Sequence, residues 1–310
     1  MTLHDDIERF VSYKQGLGLK YIPEAALLRA FGNWADERGE RYILQSSVIN
    51  WVKQRPSLLR QRSLLLLVRS FALWLHAEDP LHEIPHRDAV GRQVNRKRRP
   101  MPHLLKDDEI RLIMDAALVM PRVKRLNRLT YHTSIGLIAT TGLRVGEACS
   151  LQLTDLTEDG LTIRAGKFGK SRLVVLHPTT HDALNRYLAV RNCYAFDNDN
   201  LFVLADGRTL HPKLLGASFL SLARKLGLRG PKGTPGTRLY DLRHAFATRS
   251  LAEAITTDRD SISRHMLALS TYMGHAEVSS TYWYLEATPV LLEQVATVTE
   301  SAFGQSGRVQ

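Results

Sequence analysis

The sequence predicts a mainly α-helical protein of two domains, the second carrying a small β-sheet, and three observations predict it. Apolar residues recur at helical spacing through most of the 310-residue chain. Two short β-rich runs, residues 161–165 and 172–176, flank a glycine-containing loop and read as one hairpin. Between residues 86 and 103 the apolar periodicity stops, and Arg87, Arg92, Arg96, Lys97, Arg98 and Arg99 run into Pro100-Met101-Pro102. Such a stretch marks a boundary. The expected layout is a helical domain over residues 1–85, a basic linker over 86–103 and a second domain over 104–310.

Composition bounds the function. Hydrophobic residues make up 44% and charged residues 24%, ordinary for a globular protein, but the net charge is +11. That surplus suggests a polyanionic partner, nucleic acid ahead of an anionic membrane. Cys149 and Cys193 are distant in sequence and form no metal pattern, which argues for a reducing compartment and against a disulfide scaffold. The start is acidic and lacks the apolar core of a signal peptide. The most apolar stretch, residues 64–75, is broken by Arg69 and Ser70 and is too short to span a bilayer. These features describe a soluble intracellular protein.

In chain order, Ile7, Phe10, Val11 and Lys14 give a short amphipathic start. A second helix is expected over residues 23–38, with Leu27, Leu28, Phe31 and Trp34 at helical spacing and Gly39 as its stop. A third follows Ser46-Ser47, with Val48, Trp51 and Val52 inward; a fourth covers residues 63–77 and ends at Asp79-Pro80. This domain shows no catalytic motif. Its basic residues Lys53, Arg55, Arg60, Arg62 and Arg69 are expected to face solvent or phosphates. In the second domain, Lys106-Asp107-Asp108-Glu109 opens a helix through residue 120, and a strongly apolar one spans 127–140. Another runs on to 153 after a turn at Gly142, and the hairpin follows; further helices are expected over 177–192, over 214–227 and from 239. Residues 256–264 read as a polar surface insertion.

Read singly, the polar motifs have ordinary explanations. Arg144 and Glu147 in Thr141-Gly142-Leu143-Arg144-Val145-Gly146-Glu147 form a helical i,i+3 ion pair. Lys167 and Lys170 at a hairpin tip are solvated, and Arg243 and His244 simply open a helix. Tyrosine is a poor nucleophile, since its phenol titrates near pH ~10. It becomes useful where cations clamp an electrophile beside it. Here Met273-Gly274-His275 stands nine residues before Tyr284.

Together, the Thr-Gly-Leu-Arg-Val-Gly-Glu box, the Gly-Lys hairpin, Tyr240-Asp241-Leu242-Arg243-His244, Gly274-His275 and Tyr284 occur in one order. That order and spacing resemble the tyrosine recombinase (phage integrase) family, over about residues 104–290 at motif level. The run from Leu269 to Tyr272 and that from Thr281 to Leu285 are similar to recombinases carried by transposons and other mobile elements. The resemblance implies a two-domain C-shaped clamp, a helical SAM-like core-binding domain plus a catalytic domain. It implies site-specific cleavage and rejoining of double-stranded DNA through a 3′-phosphotyrosyl link, with no metal and no nucleotide cofactor. Arg144 and Arg243 would hold the non-bridging oxygens of the scissile phosphate, Lys167 would protonate the 5′-hydroxyl leaving group and His275 would donate a hydrogen bond to the phosphate. Glu147 would brace the site, and Tyr284 would attack. Arg96, Lys97, Arg98, Arg99, Lys170 and His244 are candidate DNA contacts. Partners implied are specific recombination sites, three further protomers in a synaptic tetramer linked by the C-terminal helix, and other proteins of the same element. The implied location is the bacterial cytoplasm or nucleoid, away from membranes.

Two departures stand out. Tyr240 occupies the position where the family usually has histidine, and a phenol is the weaker base at neutral pH, so Tyr240 is expected to orient the phosphate. The interval between Arg243 and Gly274 is longer than in the commonest members. Tyr282 and Tyr272 compete with Tyr284 for the nucleophile's role, but lack the family's spacing from Gly274-His275. On a helix Tyr282 would point about 160° away from Tyr284. Two rival functions use the same fold: a DNA-binding regulator without chemistry, and a topoisomerase-like enzyme that relaxes DNA without synapsis.

Overall fold

The computed structural model describes residues 2–91, 103–164, 171–254 and 259–274, the side chains of 253–254 and 259–263 excepted. The chain divides into two compact units, Met1–Arg99 and Pro100–Gln310. Helices dominate both, and unit 2 adds one small sheet.

The described residues of unit 1 form four helices: α1 (Leu3–Gly16), α2 (Ile22–Asp36), α3 (Gln45–Lys53) and α4 (Leu58–His76). The Thr2 hydroxyl accepts from the Asp5 N–H, and the Asp5 carboxylate accepts from the Thr2 N–H at 2.8 Å, a capping box that starts α1. Gly39, at φ +68°, turns the chain beyond the end of α2. Ile7, Phe10, Leu28, Phe31, Val52, Leu65, Val68 and Phe71 meet in a fully buried core. Phe10 lies 5.2 Å from Phe71 and Phe31 lies 5.3 Å from Trp51, centroid to centroid. Helix α4 starts five residues before the position expected from the apolar run, because Ser57 caps it. Its first turn bears Leu58 and Leu59, which are exposed and so fall outside the buried stripe.

Two of the arginines expected at the surface serve unit 1 itself. Arg69 donates to the Pro85 carbonyl at 2.6 Å, and Arg62 donates to the Gly91 carbonyl and pairs with Asp88 at 3.3 Å. Ala89 and Val90 pack on the unit 1 core, so the segment through Gly91 is tied down there. Lys53, Arg55 and Arg60 remain exposed.

Unit 2 is built around α6 (Arg125–Thr141), whose Ile135, Leu137 and Ile138 are buried. Packed against it are α5 (Asp107–Leu118), α8 (Pro178–Arg191) and α10 (Asp241–Ala254). The remaining helices among the described residues are α7 (Val145–Ser150), α9 (Pro212–Lys225) and α11 (Arg259–Tyr272). A 3-10 turn, Leu153–Asp155, leads into β1 (Leu156–Thr157), β2 (Gly160–Ile163) and β3 (Arg172–Val174), an antiparallel sheet in that order. The register pairs Leu161 with Val174 and Ile163 with Arg172. The hairpin lies where the sequence predicts it; β1, two residues long, carries too little pattern to predict. Residues 259–264, read as surface insertion, form the opening of α11. That helix packs on α10 through Ala247, Leu251, Met266, Leu269 and Met273. Among the described residues, no helix is long and apolar enough to cross a membrane.

Candidate active site

The site begins where α6 ends. Gly142 adopts φ +63°, its N–H closes the helix on the Ile138 carbonyl at 2.9 Å, and a Cβ there would collide with the Phe246 ring. Only glycine fits this turn without strain. Buried Leu143 follows, and Arg144 then stands at the N-cap of α7. Glu147 reaches back from the first turn: its carboxylate accepts from the Arg144 N–H at 3.1 Å and from the Arg144 guanidinium at 2.7 Å. The i,i+3 pair read in the sequence is present.

Arg243 enters from the first turn of α10, with 1% of its surface exposed. Its guanidinium donates to the Gly142 carbonyl at 2.5 Å and to the Met273 carbonyl at 2.7 Å. Arg144 donates to the Gly274 carbonyl at 2.5 Å. The turn after α11, with Gly274 at φ +65°, is thereby gripped by both arginines. Three segments far apart in sequence converge here.

A fourth segment joins them. Arg172 of β3 donates to both oxygens of Glu147, at 3.2 and 2.7 Å, and lies beside Gly274, where a Cβ would come within 3.0 Å of its Nη1. Its role was not anticipated, yet the sequence held a signal. Strand residues two apart share a face, so Arg172 lies on the face of buried Val174, an unusual place for a cation. Burial alone would raise the Glu147 carboxyl, but hydrogen bonds from Arg172 and then Arg144 outweigh it and hold the carboxyl at about 2. Glu147 is therefore a permanent anion between two cations.

Tyr240, 44% exposed, directly precedes α10, and its carbonyl accepts from the Arg243 N–H at 3.1 Å. Its ring meets His244 edge to face, centroids 4.7 Å apart. His244 is buried and packs against Tyr240. Tyr272 is also a packing residue: it stacks on Phe246 at 5.7 Å, and burial raises its phenol further above the ordinary value. Lys167, Lys170, His275, Tyr284, the rival Tyr282, the basic run Arg96, Lys97, Arg98, Arg99 and the final helix lie outside the described residues. Among the described residues, no group of three or more His, Cys, Asp or Glu side chains is arranged to hold a metal ion.

A helical unit followed by a helical unit with a small sheet, and two arginines drawn to the turn before a Gly-His pair, define a class that known proteins share. The phage integrase family model matches residues 103–289. The integrase/recombinase y4rB of Sinorhizobium fredii is 35% identical over 304 residues, 94% of this chain and 95% of that protein. The tyrosine recombinase XerC of Rhodospirillum centenum is 30% identical over 78% of this chain and 65% of its own length. Among solved structures, the Tn1549 transposon integrase in complex with transposon right-end DNA superposes with a TM-score of 0.63 at 16% identity. That match covers 96% of this chain and all of the solved one, and shows the shared fold.

The chain belongs to the phage integrase family, the tyrosine recombinases. These are enzymes that cleave and rejoin DNA through a phosphotyrosyl intermediate.

Proposed function

We propose that this chain is the recombinase of a mobile DNA element and that Tyr284 is its nucleophile. The phenolate oxygen attacks the scissile phosphorus while Arg144 and Arg243 neutralise the non-bridging oxygens, which gain charge in the transition state. A P–O bond to Tyr284 forms as the bond to the 5′ oxygen breaks. Lys167 gives that oxygen its proton, the tyrosine proton passes to solvent, and His275 hydrogen-bonds the phosphate. Rejoining reverses these steps with the 5′-hydroxyl of the partner strand, so the energy of the broken bond is conserved. Tyr240 orients the phosphate from its seat on His244, and Glu147 braces Arg144. Unit 1 and the basic run at residues 96–99 supply sequence-independent grip on the duplex. Four protomers on two synapsed sites, joined through their C-terminal helices in the bacterial cytoplasm, complete the reaction.

One observation carries this reading. Arg144 and Arg243 both bond the backbone at Met273-Gly274, so two segments remote in sequence present their cations to the same turn, and His275 is the next residue in the sequence. The test is a covalent trap. The protein is incubated with supercoiled DNA bearing the sequences that flank its gene, quenched in denaturant, and assayed for DNA-linked protein. The wild type, Tyr282→Phe and Tyr272→Phe are expected to form the adduct and Tyr284→Phe to form none. Adduct from Tyr284→Phe removes the assignment, and tight binding with no adduct from the wild type favours a DNA-binding regulator.

A further inference from the structure

Glu147 presents a difficulty for a site that binds phosphate. A carboxylate 2.7 Å from the Arg144 guanidinium cancels most of that cation's field, and as a pair the two sum to zero charge. The side chains are largely withdrawn from water, Arg144 at 23% and Glu147 at 9% exposure, so screening does little to relieve the loss. Arg172 answers it. Its guanidinium takes both carboxylate oxygens in a fork, at 14% side-chain exposure, from the strand that borders the Gly-Lys loop. Two arginines and one glutamate give the trio one net positive charge. Held by Arg172, Glu147 braces Arg144 without claiming all of its charge. The crowding at Gly274, where a Cβ would lie 3.0 Å from Arg172 Nη1 and 3.3 Å from Arg144 Nη1, puts both guanidiniums beside the turn that precedes His275.

We propose that Arg172 is a positioning residue of the active site: by holding Glu147 it leaves Arg144 charged and aimed for the scissile phosphate. It acts through Glu147 and Arg144, and no contact with substrate is assigned to it. The inference rests on the reading of Arg144 as a phosphate-binding cation.

The experiment measures single-turnover adduct formation on DNA flanking the gene, gel-shift affinity for the same DNA, and thermal melting without DNA. Arg172→Gln is expected to form adduct at least about tenfold more slowly than the wild type, with affinity changed by less than about threefold. Arg172→Lys, which keeps the charge and loses the fork, falls between. The deciding variant is the double substitution Glu147→Gln with Arg172→Gln. With no carboxylate left to quench Arg144, it is expected to be faster than Arg172→Gln alone, whereas a role in packing alone would leave it no faster.

A rate for Arg172→Gln within about twofold of the wild type overturns the proposal. So does a double variant no faster than the single one. Should Arg172→Gln prove unfolded in the melt, the double variant is compared with Glu147→Gln. Rates within about threefold of each other support the proposal, and a larger further loss overturns it. Absence of adduct from the wild-type chain would instead overturn the underlying reading of the site, and this role for Arg172 with it.

Discussion

Glu147→Gln removes a charge and leaves the shape. The carboxyl is held at about 2 against an ordinary 4.5, so its ionisation favours the folded state by about 3 kcal/mol at neutral pH. Because the folded value is the lower one, this contribution is complete above pH ~5 and declines as pH falls through the window from 4.5 towards 2. The substituted amide has no such titration. The stability gap between wild type and variant is therefore largest at pH 7, and the part of it due to ionisation shrinks by about two-fifths by pH ~3.5. Urea unfolding followed by circular dichroism at both pH values measures the gap. Tryptophan emission gives an internal control, since Trp34, Trp51 and Trp74 of the chain's four tryptophans lie in unit 1 and should report an unchanged transition there. A gap that is constant with pH, or widens as pH falls, would refute the charge argument.

Two further outcomes follow from single positions. Gly142→Ala places a side chain at φ +63° and drives a methyl into the Phe246 ring, so it should cost unit 2 about 2–5 kcal/mol, read as a lowered melting temperature with unit 1 unaffected. Tyr240→His introduces an imidazole, whose ordinary pKa is near ~6.5, beside the one His275 already supplies, and should change the pH dependence of the cleavage rate between pH ~6 and ~7 relative to the wild type and to Tyr240→Phe. A profile for Tyr240→His that matches that of Tyr240→Phe would remove Tyr240 from the neighbourhood of the reacting atoms.

The helices of both units were legible because their buried faces repeat at helical spacing: Phe10, Phe31, Ile135 and Ile138 are all fully buried where the pattern put them inward. Element starts were less legible. The first turn of α4 is set by the Ser57 cap and carries exposed leucines that periodicity does not register. Within the site, Arg144, Glu147 and Arg243 were legible as motif residues. Arg172 was not, because its importance lies in a partner that is near in space and remote along the chain. The burial of His244 was not legible either, because it depends on how α10 packs, which the local sequence does not state.

The seam between α10 and α11 bears on how such a chain can change length. Met266, Leu269 and Met273 fix α11 by its side, and the two arginines fix its end, so the position of Gly274 is set by contacts made after the connection has already been crossed. The number of residues spent between the two helices then matters little to the chemistry. By contrast, Gly142, Arg144 and Glu147 are bound to one another through a single tight turn, and one added residue there would shift every partner. Lineages of this protein should accumulate insertions and deletions in the first interval and almost none in the second.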